Sequence, residues 1–258
     1  MISRPHTVIQ STRNTTTENG SSPEMDPSNA RSFRAVSHPD IAEVSFLETN
    51  ATFLVAMEIV SPVLNTRTSN ITNVLSEFWE AMGIHFDVRK APSCGGHVHV
   101  TPPTANSRFT LSDLKTIAFA IVISEDFVQA ILPPVRRNNK YCAMNTRSDC
   151  GVKQLVRVGK SSVSFASVNA ALKNIGSERD LYLFMQKDRY VLWNFQNTFP
   201  QNNGRCSGTL EFRGGSQFLT AKGSLRWIAF VVSFITLALE EVCREESRNP
   251  SQLNGPFN

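Results

Sequence analysis

Hydrophobic and polar positions along this chain follow two periods, and the switches between them mark the elements. Thr52–Ser61 (TFLVAMEIVS) is a run rich in apolar and β-branched residues, closed by Pro62, which has no N–H for a ladder, so a strand is expected there. From Ser69 to Met82 the period becomes helical. Ile71, Val74, Leu75, Phe78, Trp79 and Met82 form one apolar stripe, with Gly83 as the expected stop. Short strands are predicted at Ile84–Val88 and Gly96–Val100, the second ended by Pro102-Pro103. Thr110-Leu111-Ser112-Asp113 reads as a capping box opening a long helix over Leu111–Leu132, which Pro133-Pro134 end. Beyond a polar loop at 136–150, helices are expected at Phe165–Asn174 and Glu178–Lys187, and strands at Tyr190–Phe195 and Thr209–Arg213. A last helix, Thr220–Glu245, is apolar nearly all round in its middle and so reads as a buried packing helix. The elements keep no βαβ rhythm, which predicts an α+β fold with a largely antiparallel sheet.

The beginning of the chain looks different. Of the first 30 residues, 13 are Ser, Thr or Asn and no apolar stripe recurs, so residues 1–32 are expected to be a disordered tail on a single domain spanning 33–258. With 41% hydrophobic and 19% charged residues, the remainder can bury a sizeable core. The net charge of +4 comes from scattered basic residues, which argues against a nucleic-acid partner. The apolar run Trp227–Leu239 falls short of the ~18 residues of a membrane span, so none is expected. Five cysteines without a CxxC pair, and no signal-peptide pattern, lead to the expectation of a reduced, cytoplasmic protein with core thiols.

Five segments carry candidate chemistry. In Cys94-Gly-Gly-His-Val-His-Val100, strand alternation puts His97 and His99 on one face and Val98 and Val100 on the other; two imidazoles so placed suit a divalent metal or a phosphate. The plain alternative is a half-exposed strand whose outer positions happen to be His. In Thr209-Leu-Glu-Phe-Arg-Gly-Gly215, Glu211 and Arg213 share a side with Phe212 opposite, so they could serve a metal ion and a phosphate oxygen of one ligand, or simply pair with each other. Glu58 is a lone carboxylate in an apolar strand, and burying it unpaired would cost roughly several kcal/mol; it needs a cation or a solvent-facing position. Tyr190, Leu192 and Asn194 would share one face of their strand, a pocket wall or core packing. Arg136-Arg137, leading to Lys140-Tyr141-Cys142, form a basic loop that could clamp phosphates or remain solvated.

Taken in order, Met57–Leu64, Cys94–Val100, Leu132–Cys142, Tyr190–Phe195 and Leu210–Arg213, with Trp227-Ile-Ala-Phe230 in the closing helix, resemble the amidoligase family, notably its fungal members. The resemblance covers about residues 33–245. It implies a glutamine synthetase-like fold, an antiparallel sheet with helices packed on one face. It further implies a Mg²⁺- and ATP-dependent ligase that joins a small-molecule carboxylate to an amine, such as an amino acid or peptide, through an acyl phosphate. Carried over by position, Glu58, Glu211 and His97 would bind metal. Arg213, Glu211, His97 and His99 would be catalytic, with Arg213 facing the transferred phosphate, and Arg136, Arg137, Tyr190 and Asn194 would line the substrate pocket. One departure concerns a first strand of Gly-x-Glu-x-Glu type, which the resemblance also implies. Nothing in residues 1–50 matches it; Glu43 and Glu48 flank Val44–Leu47 without that pattern.

Two other readings compete. A degenerate, non-catalytic scaffold that binds nucleotide or a small acid would account for the missing acidic pair. A metallohydrolase or cupin built on His-x-His needs a third ligand, for which His85 is the plausible histidine.

Overall fold

The computed structural model describes residues 5–12, 34–37, 56–66, 70–86, 88–91, 94–102, 108–157, 165–201 and 206–248; side chains at 5–12, 34–37, 56–58, 157, 165 and 241–248 are outside the description. The fold is α+β. Its strands are β1 (Pro5–Thr12), β2 (Arg34–Ser37), β3 (Ala56–Val60), β4 (Gly95–Val100), β5 (Trp193–Asn194) and β6 (Leu210–Ser216), paired in the order β2-β3-β1-β4-β6-β5. Every pairing between these strands is antiparallel. The helices are α1 (Ile71–His85), α2 (Leu111–Ile131), α3 (Gly151–Arg157), α4 (Phe165–Lys173), α5 (Glu178–Met185) and α6 (Ala221–Arg248).

One face of the sheet makes the core. Val98, Val100, Leu210 and Phe212 point there and are fully buried. The Phe212 ring lies 4.7 Å from Trp193, 5.5 Å from Trp227 and 5.6 Å from Phe230, so α6 is fastened to β6 through aromatic contacts. Helix α6 also lies on β4 and β1, with α1 and α2 against it. The α1 contact is specified by a buried hydrogen bond, Trp79 Nε1 donating to Ser224 Oγ at 3.0 Å. By length and composition Ala221–Glu240 could cross a membrane, a wider apolar stretch than the run Trp227–Leu239 suggested; here Ile228, Val231 and Ile235 pack into the core.

The box at Thr110 closes as expected. Asp113 N–H donates to Thr110 Oγ1 at 3.1 Å and Thr110 N–H donates back to Asp113 Oδ2 at 2.9 Å. Several other expectations change. Pro5–Thr12 is not tail but an interior strand, paired with β3 on one side and β4 on the other. Its Thr7-Val8-Ile9 run suits a strand, and a ladder on both edges offsets ordering without a helical stripe. Residues 1–4 and 13–32 of the expected tail lie outside the described residues. Ile84 and His85 form the last turn of α1 instead of opening a strand. Gly83 is not left-handed, since among the described glycines only Gly208 has positive φ, and the helix runs on until Phe86, whose N–H still reaches Met82 O at 2.9 Å. Helix α3 arises directly after the loop at 136–150, where none was expected. The strand at Tyr190–Phe195 shrinks to Trp193–Asn194. Leu192 leaves the face expected to hold Tyr190 and Asn194, because it packs on the core side beside Gly214 and Leu132.

Candidate active site

The candidate site grows from the sheet face opposite the core. With Phe212 committed to the aromatic cluster, alternation along β6 leaves Glu211 and Arg213 on the other side. The same rule applied to Val98 and Val100 puts His97 and His99 on that side of β4, and the register sets His99 directly opposite Glu211. The ladder then slips. Gly96 pairs with Gly215 and Val98 with Phe212, so Arg213 and Gly214 together stand opposite His97. A bulge of this kind bends its strand and re-aims a side chain, here Arg213. The neighbouring glycines supply room. A Cβ on Gly95 would fall 2.9 Å from Arg136 Nη2, and one on Gly96 would overlap the Phe218 ring. This accounts for Gly-Gly before the His-Val-His triplet.

Glu211 is the hub. Its Oε1 accepts from Arg213 Nη1 at 2.7 Å and stands 3.1 Å from His97 Nδ1 and 3.6 Å from His99 Nε2. Its Oε2 accepts from Asn194 Nδ2 at 2.7 Å. Arg213 is held from behind, with Nε donating to the Tyr141 carbonyl at 3.2 Å and the guanidinium 5.8 Å from the Tyr190 ring centre. Tyr190 and Tyr141 meet edge to face at 5.7 Å. His99 Nδ1 lies 3.3 Å from Thr209 Oγ1.

Burial and charge fix the protonation states. Burial pushes the His97 ring down to about 4, Arg213 adds to that, and the hydrogen bond and charge of Glu211 only partly oppose it. At neutral pH the ring is therefore uncharged, with Nδ1–H donating to Glu211 and Nε2 left as an acceptor. For Glu211, burial alone would raise the carboxyl. The charges of His99 and Arg213, together with the bond from His97, outweigh it and hold the group well below its usual range. Glu211 is thus held as a carboxylate at neutral pH inside the protein.

The structure sorts the remaining candidates. Arg136 is 1% exposed and donates from Nη2 to the Arg213 carbonyl at 2.6 Å, so it supports β6 from beneath. Its Nε has no partner among the described residues. Arg137 goes elsewhere: it is exposed, and donates to the carbonyls of Leu132 at 2.9 Å and Ala130 at 2.6 Å, closing the carboxyl end of α2. By backbone register Glu58 faces Gln10, and β1 in turn sets Val8 opposite His97, so Glu58 occupies the same sheet face as the histidines; its side chain lies outside the described residues. Sequence reading missed Gln186, Thr209 and the Tyr141 carbonyl. Thr209 was legible by alternation, two residues before Glu211. Gln186 follows the end of α5 with no local signal.

Two cavities, about 430 Å³ beside Glu125 and about 830 Å³ between α2, α4 and α6, are lined by none of the candidate residues. Among the described residues no group of three or more His, Cys, Asp or Glu is placed to hold a metal ion, and His85 is exposed at the end of α1. Glu211 and His97 offer an oxygen and a nitrogen that a cation could share, but both Glu211 oxygens already accept N–H donors. The described residues alone do not make a metal centre. They fit an anion better, since two buried guanidinium groups lie here and only Arg213 has a carboxylate partner among those residues.

A family model described as "Putative amidoligase enzyme" matches residues 10–234. This chain belongs to that amidoligase family. The match reaches back into β1, which agrees with that strand being part of the domain. No curated protein and no solved structure matches the chain.

Proposed function

We propose that this amidoligase joins a carboxylate to an amine through an acyl-phosphate intermediate, with ATP as the phosphoryl donor, Mg²⁺ as its partner ion, and a glutamine synthetase-like arrangement of the sheet. A carboxylate does not acylate an amine at neutral pH because its oxygen is a poor leaving group. ATP, when bound, would supply the phosphoryl group that turns this oxygen into a good one. The observation that carries the reading is the fixed Glu211–Arg213–His97 cluster on the polar face of β4 and β6 in a chain of this family. Glu211 holds Arg213 in one rotamer, so the planar fork of donors needs little reorganisation as negative charge develops beside it. Neutral His97 keeps the Nε2 lone pair as a hydrogen-bond acceptor that can orient an incoming amine. Arg136 adds a second buried positive charge behind the first.

The non-catalytic scaffold remains a second reading because of one observation. β1, the first strand of the described sheet, has the sequence PHTVIQST and contains no Asp or Glu, so it supplies no acidic pair. The His-x-His metallohydrolase loses support, since His85 joins no metal-binding group among the described residues.

The experiment is single-turnover phosphate release from ATP across amino-acid pools, with and without Mg²⁺, on wild type and Arg213→Lys. The ligase reading expects Mg²⁺-dependent release from wild type. It also expects a loss of about 10²-fold or more in the variant with ATP binding partly kept, because Lys keeps the charge and loses the fork. Wild type that binds ATP without releasing phosphate would make the chain a scaffold.

A further inference from the structure

We propose that Gln186 is a positioning residue: it sets the direction of a hydrogen-bond chain that turns the Glu211 carboxylate toward Arg213 and His97. The inference rests on the reading of Glu211 as the centre of the site. The chain starts at a group that cannot reverse, the backbone N–H of Phe195, which donates to Gln186 Oε1 at 2.7 Å. An amide with its oxygen so engaged must present its nitrogen on the other side. There Gln186 Nε2 donates to the Asp188 carbonyl at 2.9 Å and to Asn194 Oδ1 at 2.6 Å. Asn194 Oδ1 also accepts the Gln196 N–H at 3.0 Å. With two donors on its oxygen, Asn194 must face Glu211 with Nδ2, and it donates to Oε2 at 2.7 Å. Every link pairs a donor with an acceptor, in one sense only.

The consequence falls on Glu211. With Oε2 tied to Asn194, Oε1 is the oxygen left for Arg213 and the histidines. Gln186, Asn194 and Glu211 are 0%, 2% and 4% exposed, so water is poorly placed to replace a missing link. Only an amide satisfies position 186. An ionised Glu would accept from Phe195 N–H but would set acceptor against acceptor at both the Asp188 carbonyl and Asn194 Oδ1. Met would fill the space and leave Phe195 N–H without its acceptor.

The test uses the full chain as wild type, Gln186→Glu and Gln186→Met, with thermal melts, side-chain ¹⁵N NMR of Asn194 and His97, and single-turnover phosphate release from ATP. The expected result in Gln186→Glu is loss of the hydrogen-bonded Asn194 amide signal and of the His97 Nδ1–H signature. Phosphate release per folded molecule should fall about tenfold or more, with the ATP concentration for half-saturation within about twofold. Gln186→Met should fall in between. If both variants melt lower yet keep the Asn194 and His97 signals and the wild-type rate per folded molecule, Gln186 only joins α5 to β5 and the proposal is overturned. Should neither variant fold, wild type alone decides: Gln186 amide protons close to Phe195 N–H would show the chain reversed and the proposal wrong. A wild type that releases no phosphate defeats the ligase reading, while the NMR signals still decide the role of Gln186.

Discussion

Glu211 on β6 and Glu125 on α2 are 4% and 2% exposed, and their surroundings shift their carboxyl groups in opposite directions. Burial pushes both carboxyl groups up. Glu211 has Arg213 and two imidazoles around it, and these carry it well below the usual range. Glu125 has bonds from Thr146 and Asn145, including the Thr146 N–H at 3.0 Å, and the charge of Asp126 nearby adds to the burial effect. Its carboxyl ends raised to about 7. N–H dipoles stabilise a buried carboxylate, but a full cation in contact stabilises it far more at the low effective dielectric of the interior. The positions serve different ends. Glu211 keeps a fixed charge at the site, whereas Glu125 fastens the 3₁₀ turn Asn145–Arg147 to α2. Asn145 in turn exchanges hydrogen bonds with the Trp193 backbone, at 2.9 and 3.1 Å, which places β5 beside β6.

The most severe way to break this contrast is Arg213→Ala, which would leave Glu211 as a buried anion without the guanidinium that contacts it at 2.7 Å. The expected loss is about 3–5 kcal/mol in urea unfolding, and Glu211→Gln in the same background should recover part of it. A single variant as stable as wild type would show that Arg213 is not what holds the carboxylate ionised.

Two milder changes should tilt the pH profile in opposite directions. His97 is lowered to about 4, so the unfolded chain binds its proton more readily and stability is lost as pH falls from about 6.5 to about 4. Glu125, raised to about 7, binds its proton more tightly when folded, and stability is lost as pH rises from about 4.5 to about 7. Each effect is on the order of 3 kcal/mol, so wild type should be nearly flat between them. Glu125→Gln exposes the His97 slope, and its deficit relative to wild type should be smaller at pH 8 than at pH 5. His97→Gln leaves the opposite slope. Unfolding at the two pH values measures both, and parallel profiles for the three proteins would remove the contrast. Independently, the His97 ring should show no titration between pH 5 and 8 by NMR.

The smallest effect sharpens the comparison by leaving it alone. Thr110→Ala removes the cap of α2 at the far end from Glu125, and should cost about 1 kcal/mol without moving either slope. A shift in the His97 signal would mean that the start of α2 is coupled to the site.

Much of the site was legible because strand alternation is strictly local. A Val at 98 and a Phe at 212 point His97, His99, Glu211 and Arg213 to the other face whatever lies around them, and the Thr110 box names its helix start by chemistry within four residues. Glu125 was readable in principle, being a carboxylate set among Ile121, Val122 and Val128 in the buried stripe of α2. Other features had no local signal. Arg136 and Arg137 are adjacent and chemically identical, yet one supports Arg213 from the interior and the other caps α2 from the surface. Leu192 obeys the core in place of the alternation, and β1 is recognised as a strand by its partners on both sides.

By itself the sequence determined the main helical stripes, the Thr110 cap and the faces that the residues of β4 and β6 take, since these follow from backbone geometry over a few residues. The tertiary structure decided which of two arginines is buried, how a bulge brings Arg213 beside Glu211, and which carboxylate keeps its charge. Those outcomes depend on groups far apart along the chain, such as Asn194, 17 positions from Glu211, and Arg136, 77 from Arg213. Charge state in particular is set by burial and by the nearest cations, and both exist only once the strands are paired.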